Sequence, residues 1–330
     1  MLKKLINDPF NAVDEMLEGF VATHADLVVL ASPRVVARRN RGTPKVGLVI
    51  GGGSGHEPAM VGYVGLGMAD SGVAGNVFAA PSPDLCLEGI RAASTGMGVL
   101  LAYGNYSGDI LNFGLAAQLA AAEGIEVREV RVSDDVASAP PAEIDKRRGI
   151  AGDIFVFKCA GAMAERGESL DEVERVARKA NAATRSMGVA LYACEVPGSG
   201  RLTFELGDDE MEIGMGAHGE PGMRRGPLEP ADQVARLLVE SILADLGHPT
   251  GAELALLVNG MGATSHLDLY ILYRGARRVL EGSGCRVSRS YVGEFITTLE
   301  MSGASVTVMV LDDELRELLD APARTVGFTQ

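Results

Sequence analysis

The sequence predicts an α/β fold of two α/β domains, each built on a mixed sheet flanked by helices, with a ligand site at loops following strands. In the first half, short apolar runs that end in glycine-rich loops alternate with helical patterns. In the second half, strand patterns follow one another more closely. A length of 330 residues suits two domains. We expect the N-terminal α/β domain to span residues 1–185 and a C-terminal domain, α/β or α+β, to span residues 186–330.

The elements of the first half begin with a helix. Asp8-Pro9 is a typical helix start, and apolar residues recur at helical spacing from Phe10 to Val21. A polar stretch at 134–149 is predicted to lie on the surface, and a helix is expected to begin near Ala59. The other predicted strands are 46–50, 73–78, 98–103 and 127–132, and the other predicted helices are 84–94, one ending near 123, one ending near 165 and 169–187.

The second half combines closely spaced strands with fewer helices. Glycine-containing turns separate its first strand patterns, which is typical of antiparallel connections. The predicted strands are 189–194, 201–206, 210–215, 254–259, 287–292 and 305–311, and the predicted helices are 230–246, 266–281 and 312–319.

Composition and charge exclude several classes of function. The net charge of −14 repels nucleic acid and anionic membrane surfaces, so neither is expected as a partner. The sequence shows no signal peptide and no apolar run near the ~20 residues of a membrane helix. The four cysteines lack zinc-ligand spacing, which predicts reduced thiols and no metal site on the chain. We therefore expect a cytoplasmic protein.

The first of two histidine-bearing glycine loops, Gly51-Gly-Gly-Ser-Gly-His-Glu-Pro58, follows a buried strand. Such a loop first suggests a phosphate or dinucleotide site. The dinucleotide spacing Gly-x-Gly-x-x-Gly fails, because the sixth position from Gly51 is His56, and the Gly-Lys of a P-loop is absent. Backbone amides beside a titratable imidazole suit a polar, hydroxylated ligand that must lose a proton. Glu57 is interpreted as a residue that fixes the loop.

The second loop contains His218, with four glycines and a proline between positions 214 and 222. A neutral imidazole can attack an electrophilic carbonyl if another group protonates the resulting oxyanion. His56 and Asp109 are the candidates for that group. Judged by position alone, Asp109 is also a typical helix cap or dipole partner.

With these motifs the chain resembles the dihydroxyacetone-binding K subunit of dihydroxyacetone kinases. The same domain forms the N-terminal half of single-chain ATP-dependent kinases. The resemblance extends over nearly the whole chain and is carried by Gly51-Gly-Gly-Ser-Gly-His-Glu-Pro58, Asn105-Tyr-Ser-Gly-Asp-Ile-Leu-Asn-Phe113, Glu212-Ile-Gly-Met-Gly-Ala-His-Gly-Glu-Pro-Gly222 and Gly262-Ala-Thr264.

The resemblance implies three catalytic residues. His218 is expected to form a covalent hemiaminal with the substrate ketone, which selects a ketose over glycerol. His56 is expected to act as the base toward the hydroxyl that receives phosphate, and Asp109 to assist in acid–base work. The expected substrate-binding residues are these three together with Gly53, Ser54, Gly55 and Gly104.

Two positions depart from the family pattern. Gly104 stands where the family usually has lysine, and Ala80 stands where it tends to have serine or threonine. Both positions line the substrate pocket in the family, so both changes create space. The hypothesis is a ketose other than dihydroxyacetone, such as the four-carbon erythrulose.

The resemblance also implies partners and an alternative. The chain lacks the nucleotide-binding domain of the single-chain kinases, so a separate L-type subunit is expected to bring Mg-ADP or Mg-ATP, with no cofactor on this chain. The donor, ATP or a phosphotransferase-system phosphoprotein, stays open. A homodimer and a place in glycerol metabolism are expected. The alternative is a non-catalytic ketose receptor or coactivator; His56 and Asp109 favour the kinase, because a receptor needs neither an acid nor a base.

Overall fold

A computed structural model describes residues 3–40, 42–216 and 218–330. Within these residues the chain forms two compact units, each with a six-stranded sheet. The first unit comprises residues 3–132, 154–180 and 315–330, and the second comprises 133–153 and 181–314. The units thus exchange chain segments, since 133–153 and 315–330 each cluster with the unit that is distant in sequence. A linear division between residues 185 and 186 therefore remains a prediction.

Both sheets are flanked by helices, which confirms the predicted α/β class. In the described residues the strands are β1 (Val28–Ser32), β2 (Val35–Arg38), β3 (Gly47–Ser54), β4 (Ser71–Val77), β5 (Val99–Gly104), β6 (Val127–Val132), β7 (Thr184–Tyr192), β8 (Glu210–Ile213), β9 (Arg224–Pro227), β10 (Glu253–Gly260), β11 (Arg286–Gly293) and β12 (Ser302–Leu311). The α-helices are α1 (Ala12–Thr23), α2 (Pro83–Ala93), α3 (Ser107–Ala122), α4 (Asp153–Glu165), α5 (Leu170–Ala183), α6 (Ala231–Asp245), α7 (His266–Gly282) and α8 (Asp313–Asp320).

The sheet of the first unit has the strand order β1-β2-β4-β3-β5-β6. β3 pairs in parallel with both β4 and β5, and β6 continues the parallel part, whereas β1 and β2 are antiparallel. The chain leaves β3 for β4 on one side and later crosses to β5 on the other side. Loops diverge at such a switch point, which leaves a crevice beyond the carboxyl ends of the strands.

The sheet of the second unit has the order β11-β10-β12-β7-β8-β9 and is mostly antiparallel, with β10 and β11 as its parallel pair. Its core consists of apolar side chains from this sheet and from α6 and α7. Leu238, Ile242, Leu256 and Leu269 are fully buried there. The spacing of the apolar residues along α6 and α7 predicted these two helices, because only one face of each is buried.

Several elements differ from the sequence-based expectation. The helix predicted to reach 187 ends at Ala183, because β7 begins at Thr184 and pairs with β12. Inside that pair the Ser186 and Thr307 hydroxyls are 2.7 Å apart and buried, so tertiary pairing outweighs the local helical pattern. The stretch near Ala59 forms a single 3-10 turn, Val61–Tyr63, rather than a longer helix.

The strand predicted at 201–206 is also wrong. Leu202 makes an isolated bridge with Glu195, and the Thr203 hydroxyl donates to the Cys194 carbonyl oxygen over 3.2 Å. Gly198 and Gly200, both at positive φ, precede this segment, and the pairing does not extend beyond the single bridge. By contrast, β1, β2 and β9 were missed; each is only four or five residues long.

Candidate functional site

The carboxyl ends of β3, β4 and β5 lie at one edge of the first sheet, because these strands are parallel neighbours. Two hydrogen bonds join the end of β3 to β4 and to the residue that follows it. The Ser54 hydroxyl donates to the Gly75 carbonyl oxygen over 2.8 Å, and the Phe78 amide donates to the Ser54 carbonyl oxygen over 3.0 Å. Segments that are distant in sequence therefore meet at one edge of the sheet.

At Gly53 the end of β3 lies close against the backbone that follows β4. A Cβ on Gly53 would lie 2.7 Å from the Ala79 nitrogen and 3.0 Å from the Phe78 carbonyl carbon. Both atoms belong to the backbone, so they cannot move aside as a flexible side chain could. The absence of a side chain at Gly53 is thus a packing requirement of this edge.

The His56 side chain is held in place by burial and by a ring contact. Only 5% of the residue is exposed, and its ring stacks on Phe78 with 5.1 Å between ring centroids. Phe78 itself has φ +56°, a conformation that is uncommon for a bulky residue and is found at functional sites. The sequence patterns did not predict a role for Phe78, because its backbone conformation has no signature in them.

Asp109 lies in the first turn of α3 with 8% of its surface exposed. A Cβ on Gly52 would be 3.9 Å from its Oδ1 atom, so the carboxyl group lies against the β3 loop. Burial raises the pKa of the Cys86 thiol, and the nearby charge of Asp109 raises it further. The amino end of a helix favours a negative charge. Asp109 therefore joins the same edge as His56 and Gly53.

Gly104 and Ala80 border this edge. Gly104 is the buried last residue of β5 and pairs with Val132 of β6. A Cβ on Gly108 would lie 3.1 Å from the Ala80 Cβ, which places Ala80 against the first turn of α3. At Gly104 and Ala80 the chain presents a hydrogen atom and a methyl group, with no polar side chain.

Glu57 contacts the backbone of the same loop. Both of its carboxyl oxygens lie 3.1 Å from the Gly55 nitrogen, which donates to them. Burial raises the pKa of Glu57, and the backbone contacts oppose that shift. These contacts hold the loop that contains Gly55 and His56 in its tight conformation.

His218 lies in the second unit, in the loop that joins the paired strands β8 and β9. The loop is closed by backbone hydrogen bonds from Gly216 to Glu220 over 3.0 Å and from Met223 to Ile213 over 2.8 Å. The His218 side chain is 25% exposed, so a ligand can reach it.

Glu220 makes two contacts with His218. One carboxyl oxygen lies 3.1 Å from Nδ1 of the ring, and the other accepts the His218 backbone N–H over 2.9 Å. Burial opposes the ionisation of Glu220, but its contacts with His218 outweigh burial and lower its pKa to about 2. The sequence analysis missed Glu220; a carboxylate two residues after a loop histidine was the available signal.

Arg148, in the polar stretch at 134–149, contacts the same loop. Its guanidinium donates to the Gly214 carbonyl oxygen over 3.0 Å and to Asp135 over 2.8 Å. A Cβ on Gly216 would lie 2.4 Å from Arg148 Nη1 and 2.2 Å from Glu220 Oε2. Gly216 thus allows an arginine and a glutamate to approach the backbone beside His218. This polar stretch was predicted only as a surface segment.

The predicted site residues fall into two groups. Gly53, Ser54, Gly55, His56, Gly104 and Asp109 all belong to the first unit, where Asp109 lies beside Gly52 of β3. His218 belongs to the second unit. Across 3–40, 42–216 and 218–330, we find no cluster of three or more His, Cys, Asp or Glu side chains suited to a metal. Within the same ranges, no helix has the length and apolar character needed to span a membrane.

Comparison with known proteins adds the family. A family model described as the Dak1 domain matches residues 18–327. A PTS-dependent dihydroxyacetone kinase dihydroxyacetone-binding subunit of Listeria innocua is 42% identical over 330 residues, covering 99% of both chains. A D-erythrulose kinase of Mycolicibacterium smegmatis is 43% identical over 99% of this chain, which spans 56% of that enzyme.

Solved structures agree with the sequence relatives. A dihydroxyacetone kinase from C. freundii in complex with AMP-PNP and Mg2+ is similar with a TM-score of 0.91 and 34% identity, over 100% of this chain and 61% of that chain. A dihydroxyacetone kinase operon co-activator is similar with a TM-score of 0.87 and 35% identity, over 95% of this chain and 97% of the other.

Proposed function

The chain belongs to the Dak1 family, and from that premise we propose that it is the ketose-binding subunit of a dihydroxyacetone-type kinase. It holds a small ketose covalently on His218 while a partner supplies the phosphoryl group. The observation that supports this most strongly is the His218 loop, in which an accessible imidazole has an ionised carboxylate on Nδ1. A receptor for a sugar alcohol would need hydrogen-bonding groups rather than a nucleophile.

The covalent step follows from the chemistry of imidazole and ketones. The lone pair on His218 Nε2 forms a bond to the carbonyl carbon, and the π pair of the carbonyl moves to oxygen, which takes up a proton. The Nδ1 proton can leave afterwards, which gives a neutral hemiaminal. Glycerol has no electrophilic carbon, so the same site rejects it.

We assign the proton-transfer roles to His56 and Asp109. As the ketose hydroxyl attacks phosphorus, His56 takes the hydroxyl proton, and the bond between phosphorus and the donor's leaving group breaks. Burial and the stacking contact with Phe78 support this role, because a general base must hold its ring in place. Asp109 assists in acid–base work. Gly53, Ser54 and Gly55 contact the ligand.

The ketose is dihydroxyacetone or a tetrulose such as erythrulose. The small residues at Gly104 and Ala80 leave space where the family has longer polar side chains. The relatives are named for both kinds of substrate, at nearly the same identity to this chain. Steady-state kinetics over a panel of trioses and tetruloses tests the choice. A clear preference for dihydroxyacetone would contradict the tetrulose hypothesis.

The partner is proposed to be a nucleotide-binding L-type subunit that carries Mg-ADP or Mg-ATP, with no cofactor on this chain. A relative that this chain covers over 99% of its length is named PTS-dependent, which supports a phosphotransferase-system donor. A homodimer, a cytoplasmic location and a place in glycerol metabolism are carried over from the family.

The activity is tested by phosphorylation of a ketose by this chain together with its nucleotide-binding subunit. We expect His218→Ala to lower kcat/KM by at least about 100-fold, because the covalent anchor is lost. His266→Ala is the matched control, since His266 is exposed at the start of α7, and it should retain wild-type activity. Equal activity of wild type and His218→Ala would contradict the assignment.

The alternative is a coactivator that binds the ketose without phosphorylating it. This alternative is supported by the structural similarity of the chain to an operon co-activator. Both functions use His218, so the phosphorylation assay separates them. A protein that forms the adduct, yet transfers no phosphate with any nucleotide-binding subunit tested, would be the coactivator.

A further inference from the structure

The contact between His218 and Glu220 carries an inference that rests on the proposed role of His218. We propose that Glu220 is a positioning residue that keeps the His218 proton on Nδ1 and so presents Nε2 as the nucleophile. Glu220 would not touch the ketose itself. Its effect would pass through the imidazole ring.

The hydrogen-bond pattern selects the tautomer. An ionised carboxylate can only accept hydrogen bonds. One Glu220 oxygen accepts the His218 backbone N–H over 2.9 Å, and the other lies 3.1 Å from Nδ1. Nδ1 must therefore carry the proton in this contact, which leaves the lone pair of the neutral ring on Nε2.

Glu220 is ionised at neutral pH. Its pKa of about 2 lies below the usual value of about 4.3 for glutamate, since the His218 contacts outweigh burial. The carboxylate therefore predominates throughout the neutral range and is lost only in strong acid. The tautomer preference should hold throughout the neutral range.

The loop backbone fixes the carboxylate in place. The Gly216 N–H donates to the Glu220 carbonyl oxygen over 3.0 Å, and the Gly219 N–H donates to the Gly216 carbonyl oxygen over 3.1 Å. A Cβ on Gly216 would lie 2.2 Å from Glu220 Oε2, so only glycine admits the carboxylate there. Arg148 holds the neighbouring carbonyl of Gly214.

The same carboxylate serves the covalent step. When Nε2 forms its bond to the carbonyl carbon, the ring becomes an imidazolium that still carries the Nδ1 proton. The negative charge of Glu220 beside that proton stabilises the cation and can accept the proton as the hemiaminal becomes neutral. Glu220 therefore favours both the correct nucleophile and the adduct it forms.

The test measures the tautomer directly, on the full chain labelled with 15N-histidine. Long-range 1H–15N spectra distinguish Nδ1–H from Nε2–H, and His218→Ala assigns the His218 signals. We expect Nδ1–H in the wild type. In Glu220→Gln the side-chain NH2 can donate to Nδ1, so we expect Nε2–H. An Nε2–H ring in the wild type would overturn the proposal without any variant having to fold.

Adduct formation with 13C-carbonyl dihydroxyacetone is the second measurement. We expect Glu220→Gln to weaken the adduct by about 10²–10⁴-fold, the range seen when the partner of a functional histidine is changed. Glu212→Gln is the matched control, because Glu212 accepts the Gly222 N–H of the same loop. Its His218 tautomer should be that of the wild type, and its affinity for the adduct should stay within about twofold of the wild-type value.

The outcomes separate the possible causes. Loss of the adduct in both variants with an unchanged tautomer would mean that Glu220 only supports the loop, and the proposal would fail. If the wild type forms no adduct with the ketose, the proposed function fails, while the tautomer spectra still decide whether Glu220 sets the proton on His218.

Discussion

Single backbone contacts determine which residues the loop edge of the first unit tolerates. At Gly53 a Cβ would meet the Ala79 nitrogen at 2.7 Å, whereas at Gly114, in α3, it would meet nothing within 4 Å. Gly53 is therefore required by packing, whereas Gly114 affects the helix only through the conformational freedom of glycine.

Gly53→Ala should weaken ketose binding and lower the free energy of unfolding by about 1–3 kcal/mol, because the added methyl group forces two backbone segments apart. Gly114→Ala should raise it by up to about 1 kcal/mol through helix propensity. Urea unfolding and ligand titration on both variants provide the measurement. Wild-type ketose affinity in Gly53→Ala would contradict the close approach.

Sequence motifs predict His56, Asp109 and His218 as site residues, because glycine loops and the family pattern surround them. These assignments stay predictions. Glu220 and Phe78 were not predicted, since each is distinguished by a contact with one of the two histidines. Such contacts depend on backbone conformation, as in the positive φ of Phe78, which periodicity and composition do not encode.

A buried cluster of charged side chains links helix α6 to residues 133–153 of the second unit. Arg147 is fully buried and donates to both Asp245 oxygens, over 2.9 and 2.6 Å, and Arg185 also contacts Asp245. Hydrogen bonds from the two arginines hold the pKa of Asp245 below its usual value, against the effect of burial. Asp245 ends α6, where a helix disfavours an acid, and the arginines offset that cost.

Asp245→Asn should lower the free energy of unfolding by about 3–5 kcal/mol at pH 7, since two buried guanidinium groups lose their carboxylate. Because the folded pKa is lowered, the stabilisation is present above the unfolded pKa near 4 and is lost as pH falls through the folded value. The wild type and variant should therefore converge in acid. Urea unfolding at pH 7 and pH 3 measures this.

The control for that experiment is Glu281→Gln, which removes an exposed ion pair with Arg277 on α7. It should change the free energy of unfolding by about 0.5 kcal/mol or less. Equal effects of the two substitutions would show that the Asp245 cluster contributes no more than a surface pair.

In the first unit, a hydrogen bond from Lys158 links α4 to α8. It is fully buried, and its Nζ donates to the Leu318 carbonyl oxygen over 2.6 Å. Burial lowers its pKa to about 8. The folded protein thus releases this proton at lower pH than the unfolded chain, so stability should rise as pH increases from about 8 to about 10.5.

Lys158→Met should remove that part of the rise. The difference between wild-type and variant unfolding free energies, measured by urea titration from pH 7 to pH 10.5, isolates the Lys158 contribution from other titrating groups. A difference that does not change with pH would contradict a lowered pKa.

The long, strongly patterned elements were predictable, and the short ones were not. The α6 and α7 helices and the buried β3, β5 and β12 strands follow from apolar spacing. β1 and β2 depend on a tight turn at Arg34, with φ +63°, and β9 depends on pairing with β8. In these short strands tertiary pairing, rather than local pattern, determines the structure.

At the scale of the whole molecule, alternation of strands and helices was sufficient to predict two α/β units with mixed sheets. It was not sufficient to predict that residues 133–153 and 315–330 join the unit distant in sequence. Long-range contacts determine these positions: Arg147 binds Asp245, and Lys158 binds the Leu318 carbonyl oxygen in α8. Neither contact has a signature in the local sequence pattern.

A crystal of this chain soaked with dihydroxyacetone or erythrulose tests whether His218 holds a ketose covalently. We expect continuous electron density from His218 Nε2 to a tetrahedral carbon of the ligand. A ketose bound with a planar carbonyl at van der Waals distance from the ring, or bound away from His218, would contradict it.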